Sequence, residues 1–329
     1  MQRAGPLVMS TLLYSHPVCA DHDPGPGHPE SPGRLRSVLA ALEGAAFKDL
    51  VRRDAPRADR GVIERVHPAA YVDRVLAAVP HGGRAELDGE PDVGQVYLDG
   101  DTVLSPASGE AALRAVGAVV EAVDRVMAGA AANAFCAIRP PGHHAEPDRA
   151  MGFCLFNNVA IGAFHAHAVH GCERIAVVDF DVHHGNGTEA AFLPHAHLFY
   201  ASTHQFPAYP GTGARDETGP LGNIVNVTLA PGTGGPAFRA AYDDIILPRL
   251  RDFAPDFLLI SAGFDAHAAD PLAQINLTED DFIWVTGALL DVAGETAAGR
   301  VVSVLEGGYD LGALGRSAAG HVAALMARK

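Results

Sequence analysis

The chain has little positive charge and few cysteines, and each shortage argues against a class of protein. Its 24 lysine and arginine residues stand against 39 acidic residues, which gives a formal net charge of −15. Because nucleic-acid affinity comes mostly from clustered lysine and arginine, a broad phosphate-binding surface is disfavoured. The four cysteines, Cys19, Cys136, Cys154 and Cys172, are far apart and form no C-x-x-C pair, which argues against a zinc ribbon or a disulfide framework.

Long apolar segments and linkers are also lacking. No run of about 18 apolar residues is present, so the sequence predicts neither a transmembrane helix nor a membrane partner. Leu7 to Leu13 is too short and too polar for a secretory signal, and we expect a first buried strand there. A cytoplasmic location is therefore expected. No repeat or flexible linker divides the chain, which favours a single domain over residues 1–329.

What the chain has is an apolar fraction large enough to bury a core, with 48% hydrophobic and 19% charged residues. Seven short runs are apolar or β-branched on both faces, as parallel strands covered by helices are. They lie at residues 11–13, 134–138, 175–178, 198–201, 224–227, 257–261 and 301–305. Helical patterns such as 108–128 and 238–253 lie between them, which predicts an α/β fold with a mainly parallel sheet.

Polar clusters follow five of these runs. In open parallel sheets, ligands bind beyond the carboxyl ends of the strands, so we expect the five clusters to share one cleft. They are Arg139-Pro-Pro-Gly-His-His-Ala145, Asp179-Phe-Asp-Val-His-His-Gly-Asn-Gly-Thr188, Ser202-Thr-His204, Ser261-Ala-Gly-Phe-Asp-Ala-His267 and Glu306-Gly-Gly-Tyr309.

The second cluster contains metal-binding residue types. Asp179, Asp181 and His183 occur at every second residue, so their side chains share one face of an extended chain. Adjacent buried carboxylates repel each other, and a divalent cation removes that cost. Carboxylate with imidazole suits zinc or iron better than magnesium or calcium, and a catalytic zinc site takes about three protein ligands. Asp181 and His183 supply two, and spacing leaves three alternatives for the third: Asp265, His267 and Asp270.

Two further groups have catalytic chemistry. His143 and His144 follow a loop stiffened by prolines; either could bind metal, act as a general base toward metal-bound water or protonate a leaving group. A histidine in that role needs a partner that fixes its tautomer, for which Asp179 and Asn186 are candidates. Tyr309 follows two glycines at a strand end, where its hydroxyl could stabilise a carbonyl oxygen as negative charge develops.

Seven stretches, in this order, resemble the histone deacetylase and acetylpolyamine amidohydrolase superfamily, especially its class II branch and its bacterial deacetylase-like members. The resemblance covers nearly the whole chain and implies the arginase/deacetylase fold, a single α/β domain around a parallel sheet of about eight strands. The stretches are His22-Asp-Pro-Gly-Pro-Gly-His-Pro-Glu30 with Arg34, Arg139 to Ala145, Gly152-Phe-Cys-Leu-Phe-Asn-Asn158, Asp179 to Thr188, Tyr209-Pro-Gly-Thr-Gly213, Ser261 to His267 with Asp270-Pro-Leu272, and Glu306 to Tyr309.

The resemblance also implies which residues bind metal. Asp181, His183 and Asp265 match the zinc ligands of the family, whereas His267 and Asp270 match none of them. Family members also hold a structural potassium ion near the zinc. Its implied ligands are Asp179, the main chain of Asp181 and His183, and Ser202.

Catalytic roles are implied in the same way. His144 matches the histidine that acts on zinc-bound water, and His143 is its neighbour, hydrogen-bonded to Asp179. Behind the general base, class I enzymes carry an aspartate, whereas this chain has Asn186. Asparagine at this position is similar to class II and polyamine enzymes. Tyr309 matches the oxyanion-stabilising tyrosine, and its presence favours an active enzyme.

For the substrate, the resemblance implies an acyl-lysine tunnel. Phe153, which follows Gly152, and Tyr209 match its two aromatic walls. The second wall is usually phenylalanine, so Tyr209 departs from the pattern at a position that sets the polarity of the tunnel. Asp101 lies near the family position for rim contacts, where a carboxylate accepts a peptide N–H or attracts a second ammonium group.

The sequence therefore predicts a zinc-dependent amidohydrolase that removes an acetyl or acyl group from an amine, with acetyl-lysine in proteins or peptides as the first choice of substrate. An acetylpolyamine deacetylase is the alternative. A non-catalytic acyl-lysine-binding module would be expected to lack part of this machinery, and an arginase-like enzyme with two manganese ions would need a second full set of ligands. Association of subunits is left open.

Overall fold

The computed structural model describes residues 10–81 and 94–328. Its strands are Thr11–Ser15 (β1), Val51–Asp54 (β2), Val96–Tyr97 (β3), Val103–Leu104 (β4), Asn133–Cys136 (β5), Ile175–Asp179 (β6), Leu198–Gln205 (β7), Ile224–Leu229 (β8), Phe257–Ala262 (β9) and Val301–Leu305 (β10). Eight of them form a parallel sheet in the order β2-β1-β5-β10-β9-β6-β7-β8, and β3 pairs antiparallel with β4. The predicted α/β architecture with about eight strands is confirmed.

Helices cover both faces of this sheet. They are Val18–Asp21 (α1), Pro32–Ala41 (α2), Arg60–Ile63 (α3), Ala69–Ala77 (α4), Ser108–Met127 (α5), Asn158–His170 (α6), Asn186–Phe192 (α7), Gly235–Ala241 (α8), Leu247–Phe253 (α9), Glu279–Thr296 (α10) and Leu311–Ala327 (α11). A 3-10 turn forms at Ala45–Phe47, and the π-helical segment Tyr242–Ile246 joins α8 to α9. None of the helices in the described ranges is long and apolar enough to cross a membrane.

The seven predicted strands all lie in the sheet, and the eighth, β2, was missed. All four residues of β2 are exposed, and it reads Val-Arg-Arg-Asp, so it lacks the apolar pattern of a buried strand. The first strand begins at Thr11; residues 7–9 of the predicted Leu7 to Leu13 strand lie outside the described residues. The bounds 1–329 for a single domain stay a prediction.

The core consists of apolar layers on the two faces of the sheet. Neighbouring residues of β6 point to opposite faces, so Val178 packs in the layer covered by α2, α10 and α11, whereas Val177 packs in the layer covered by α5 and α6. Both valines are fully buried. Because every central strand is covered on both sides, these runs are apolar throughout rather than alternating, as the sequence indicated.

The central strands bring the polar clusters together. β9 lies between β6 and β10, with Asp179 in register with Ser261 and Ala262 in register with Leu305. Parallel strands end at the same edge of a sheet, so the loops that follow these three strands meet there. The strand order therefore joins chain segments that are far apart in the sequence.

Candidate functional site

Three of the predicted ligands converge at this edge. Asp181, His183 and Asp265 form a group whose ligand atoms all lie within 4.8 Å of one another. His183 Nδ1 lies 3.1 Å from Asp181 Oδ1 and 3.1 Å from Asp265 Oδ2. The main chain holds the other two carboxylate oxygens: Gly307 N donates to Asp181 Oδ2, and Val182 N donates to Asp265 Oδ1, each at 2.8 Å. One nitrogen and two oxygens are thereby left facing each other, a donor set that fits zinc.

Glycines allow the backbone to approach this group. A Cβ atom added at Gly263 would overlap the carboxylate of Asp181, and one added at Gly307 would overlap the carboxylates of both Asp181 and Asp265. A side chain at either glycine would therefore displace the ligands. This packing is the physical reason for glycine beside the two strand ends.

The charges of the group are not balanced by the protein alone. Burial raises the pKa of Asp265, and the nearby charge of Asp181 raises it further, to about 7. Burial disfavours the charged form of His183, but its contacts with Asp181 and Asp265 outweigh burial and raise its pKa to about 10. Two buried carboxylates therefore share one imidazolium, and a divalent cation would compensate the remaining negative charge.

The other two candidates for the third ligand lie outside the group. His267 Nε2 is 3.5 Å from Glu279 Oε2. Asp270 Oδ2 accepts a hydrogen bond from the main-chain N–H of Tyr309 at 2.6 Å. Asp270 therefore anchors the loop that carries Tyr309, a role that spacing along the chain gave no signal for.

The adjacent histidines have different partners. His143 Nδ1 lies 2.9 Å from Asp179 Oδ2, and His144 Nδ1 lies 2.8 Å from Asn186 Oδ1. An amide oxygen can only accept, so His144 carries its proton on Nδ1 and keeps a free lone pair on Nε2. Asn186 Nδ2 donates to Glu146 Oε1 at 2.8 Å, which fixes the orientation of the amide.

Their charge states also differ. Burial disfavours a charge on His143, but the carboxylates of Asp179 and Asp181 outweigh burial and raise its pKa to about 10. Burial lowers the pKa of His144, and the charges of His143 and His183 lower it further, well below its usual value. His144 is therefore neutral and His143 charged near neutral pH. A neutral histidine with a fixed tautomer suits a general base.

A cavity of about 220 Å³ opens over these groups. It is lined by Asp101, His144, Gly152, Phe153, His183, Tyr209, Leu272 and Tyr309. The Phe153 ring meets the Tyr309 ring edge to face with centroids 5.9 Å apart, and Tyr209, 40% exposed, meets His144 in the same way at 5.1 Å. The sequence predicted a role for each of these lining residues except Leu272, which occurs in a stretch that resembles the family but has no role assigned by it.

A larger cavity, of about 510 Å³, lies elsewhere, between the β1–β2 edge of the sheet and α2. It contains none of the predicted ligands, bases or aromatic walls. Chemistry rather than size therefore identifies the smaller cavity as the candidate active site.

Tyr309 is also held by residues whose role was not predicted. The guanidinium of Arg34 lies over the Tyr309 ring, 4.8 Å from its centroid, and Arg34 Nε donates to the Gly308 carbonyl at 2.6 Å. Arg34 is itself fully buried and bonded to Glu30 at 2.9 Å. The buried Arg34–Glu30 ion pair therefore binds the carbonyl of Gly308, and Asp270 binds the main-chain N–H of Tyr309, so both contacts fix the loop that carries Tyr309.

The predicted potassium ligands adjoin each other. Asp179 and Ser202 are register partners on β6 and β7. Asp179 Oδ1 accepts from Asp181 N at 3.1 Å, and Ser202 Oγ lies 2.9 Å from His204 Nδ1. The potassium ion itself stays a prediction.

Comparison with known proteins finds relatives of a single family. A family model for the histone deacetylase domain matches residues 28–325. A histone deacetylase-like amidohydrolase of Pseudomonas aeruginosa is 41% identical, over 86% of this chain and 73% of that protein. Histone deacetylase 14, chloroplastic, of Arabidopsis thaliana is 37% identical, over 97% of this chain and 78% of that protein. The crystal structure of the HDA15 HD domain superimposes with a TM-score of 0.89 at 33% identity, covering 98% of this chain and 90% of that chain.

Proposed function

This chain belongs to the histone deacetylase family and has its fold, and from that premise we propose that it is a zinc-dependent deacetylase. The reaction is hydrolysis of the amide of an N-acetylated amine, which releases acetate and a free amine. The proposed substrate is acetyl-lysine in a protein or peptide. One observation carries the proposal: a single cavity is lined by His183 of the three-residue ligand group, by the neutral His144 and by Tyr309.

In this mechanism Asp181, His183 and Asp265 would hold the zinc ion. When bound there, zinc supplies a Lewis acid that polarises a carbonyl and makes water more acidic. His144 Nε2 takes a proton from the attacking water, because Asn186 keeps the lone pair of the ring on that nitrogen. The same histidine then gives the proton to the departing amine.

Tyr309 and His143 have supporting electrostatic roles. The Tyr309 hydroxyl donates a hydrogen bond to the substrate oxygen as negative charge develops on it. The position of the phenol is set by Arg34 over the ring and by Asp270 at the main chain. Burial lowers the pKa of His144, and the charge of His143, whose ring centroid lies 4.0 Å from that of His144, lowers it further, so His144 is neutral before the proton transfer.

Acetate release by the purified protein tests the proposal. The protein should release acetate from an acetyl-lysine peptide, lose this activity after dialysis against a chelator, and regain it with about one equivalent of zinc per chain. Absence of acetate release from the zinc-loaded protein would refute deacetylation. Recovery only with two equivalents of manganese would favour an arginase-like enzyme instead.

An acetylpolyamine is the second candidate substrate, and the acidic rim of the cavity favours it. Asp101 lines the cavity, and its main-chain N–H donates to Asp99 Oδ1 at 3.0 Å, which brings the two acidic residues together. Such a pair could attract the second ammonium group of a polyamine. Values of kcat/KM for an acetyl-lysine peptide, N-acetylputrescine and N-acetylspermidine decide between the candidates; a preference of more than about tenfold, worth roughly 1.4 kcal/mol, identifies the substrate class.

A non-catalytic binding module is disfavoured because the ligand group, His144 and Tyr309 are all present. A cytoplasmic location stays a prediction, and the Arabidopsis relative is named as chloroplastic.

A further inference from the structure

A second group of metal-binding residue types lies between two helices, outside the catalytic cavity. Asp124 of α5 and His165 and His170 of α6 have ligand atoms within 4.8 Å of one another. His165 Nε2 and His170 Nε2 lie 2.7 Å and 2.6 Å from the same atom, Asp124 Oδ1. None of the three lines the catalytic cavity or has a part in the proposed deacetylation.

We propose that Asp124, His165 and His170 form a second, independent binding site for a divalent first-row transition ion. Two imidazoles with one carboxylate suit Zn²⁺, Fe²⁺, Co²⁺ or Ni²⁺, whereas Mg²⁺ and Ca²⁺ prefer oxygen ligands throughout. The side chains of Asp124, His165 and His170 are 44%, 6% and 22% exposed. Water can therefore reach the ion and complete its coordination.

The positions of the three residues in two packed helices support this assignment. Asp124 lies near the end of α5, and His165 and His170 lie on the last turns of α6, so three side chains from two packed helices meet. An ion bound there would link α5 to α6 directly. His167, on the same helix, is exposed and instead stacks on His197 with ring centroids 4.2 Å apart, so it is not part of the group.

Arg65 sets the strength of the site. One of its guanidinium nitrogens, Nη1, lies 2.6 Å from His165 Nδ1. A guanidinium can only donate, so His165 Nδ1 accepts and the ring proton is on Nε2, directed at Asp124. An ion at Nε2 requires the proton to move to Nδ1, and Arg65 must then turn away. Because a wrongly placed outer partner costs about 10- to 100-fold in metal affinity, we expect the second site to be weaker than the catalytic one.

Zinc titration of the holoenzyme tests the proposal. The full chain is prepared without a polyhistidine tag and with its catalytic metal in place, and calorimetry then measures the binding of added Zn²⁺. We expect one further ion per chain in the unaltered protein and none in His170→Gln. The matched control is His167→Gln, which changes a histidine of the same helix outside the group and should bind like the unaltered protein. Asp124→Asn serves if His170→Gln fails to fold.

Arg65→Gln should change zinc affinity in a way that a cluster with a purely structural role would not. The glutamine oxygen can accept a hydrogen bond from His165 Nδ1–H, so the metal-binding tautomer is favoured and zinc should bind about tenfold more tightly. All of these variants should keep deacetylase turnover unchanged. The proposal is overturned if the unaltered protein binds no more zinc than His170→Gln, or if His167→Gln loses the ion equally. Neither result would affect the proposed deacetylase activity, which uses the other ligand group.

Discussion

Among the residues that the structure describes, two groups of three combine aspartate with histidine at metal-binding distances, and their surroundings differ. In the catalytic group of Asp181, His183 and Asp265, the imidazole nitrogen lies 3.1 Å from an oxygen of each carboxylate. The carboxylate oxygens that face away are held by main-chain N–H groups of Gly307 and Val182. All three ligands are buried and both carboxylates are fixed by the main chain, so the group is arranged for an ion before one binds.

The second group is arranged for hydrogen bonding. Both imidazoles of His165 and His170 contact one oxygen of Asp124 at 2.6 to 2.7 Å, and Arg65 occupies the far nitrogen of His165. Asp124 is also partly exposed. In both groups a proton lies between imidazole and carboxylate, but in the second group Arg65 also favours the tautomer of His165 that cannot bind an ion through Nε2.

The difference shows what decides whether such residues are ready to bind metal. The ligand types set which ions are chemically suitable, and both groups suit zinc. The outer partners set the tautomer and the orientation of the ligands. Main-chain N–H groups orient both carboxylates of the catalytic group, whereas Arg65 favours the tautomer of His165 that is unsuited to an ion at Nε2. Metal affinity should therefore differ between the groups, with the catalytic group the tighter of the two.

Asp265→Asn should have the largest effect on zinc content and turnover. Loss of one carboxylate charge from the ligand group should remove most of the bound zinc, and turnover should fall by more than about 100-fold, beyond the cost of losing an outer partner. Metal analysis and acetate release measure both. The matched control is Asp124→Asn in the second group, which should retain the catalytic zinc and full turnover. If Asp265→Asn kept both zinc and activity, the catalytic group would be wrongly identified.

Tyr309→Phe should separate chemistry from metal binding. Without the hydroxyl, the developing negative charge loses a donor, and kcat should fall roughly 100- to 1000-fold while zinc content and folding are retained. Turnover with an acetyl-lysine peptide, together with metal analysis, checks this. Unchanged turnover would remove Tyr309 from the mechanism and leave its ring as a wall of the cavity only.

Asn186→Ala tests an outer partner at the catalytic site, as Arg65→Gln does at the second group. His144 would lose the acceptor that fixes its tautomer, so turnover should fall by about 10- to 100-fold. Asn186→Asp is the comparison variant: its carboxylate accepts the same proton, although it loses the donor to Glu146 Oε1 and places two carboxylates side by side. It should also stabilise charged His144 and raise its pKa, which shifts the acidic limb of the kcat/KM profile to higher pH. Equal activity of the alanine variant and the unaltered protein would contradict the role.

The smallest expected effect is on the stability of Asp124→Asn. The aspartate is 44% exposed, and exposed ion pairs contribute about 0 to 1 kcal/mol to folding. The free energy of unfolding, measured by urea denaturation in metal-free buffer, should therefore change by less than about 1 kcal/mol. A much larger loss would mean that the main role of the second group is to hold α5 against α6.

Much of the fold could be predicted because its central strands are apolar on both faces. The exception, β2, lies at the edge of the sheet with all four residues exposed, and such a strand has no burial pattern to detect. Within the cavity, the two aromatic walls came from the family resemblance. Leu272 was missed as a lining residue because a single leucine in a loop carries no periodic signal.

The sequence by itself determined the chemistry of the site. The expectation that Asp181 and His183 share one face of an extended chain was wrong in its reason, because β6 ends at Asp179 and the chain bends at 181–183. The two residues still lie together, since His183 N donates to Asp181 Oδ1 at 2.9 Å, and this contact needs only neighbouring residues. Tertiary structure decided which distant groups complete it. His183 and Asp265 are 82 residues apart, and they meet because β6 and β9 are neighbours in the sheet. The same strand order assigns Asp270 to the Tyr309 loop rather than to the metal group, because such contacts depend on the packing of strands and not on spacing along the chain.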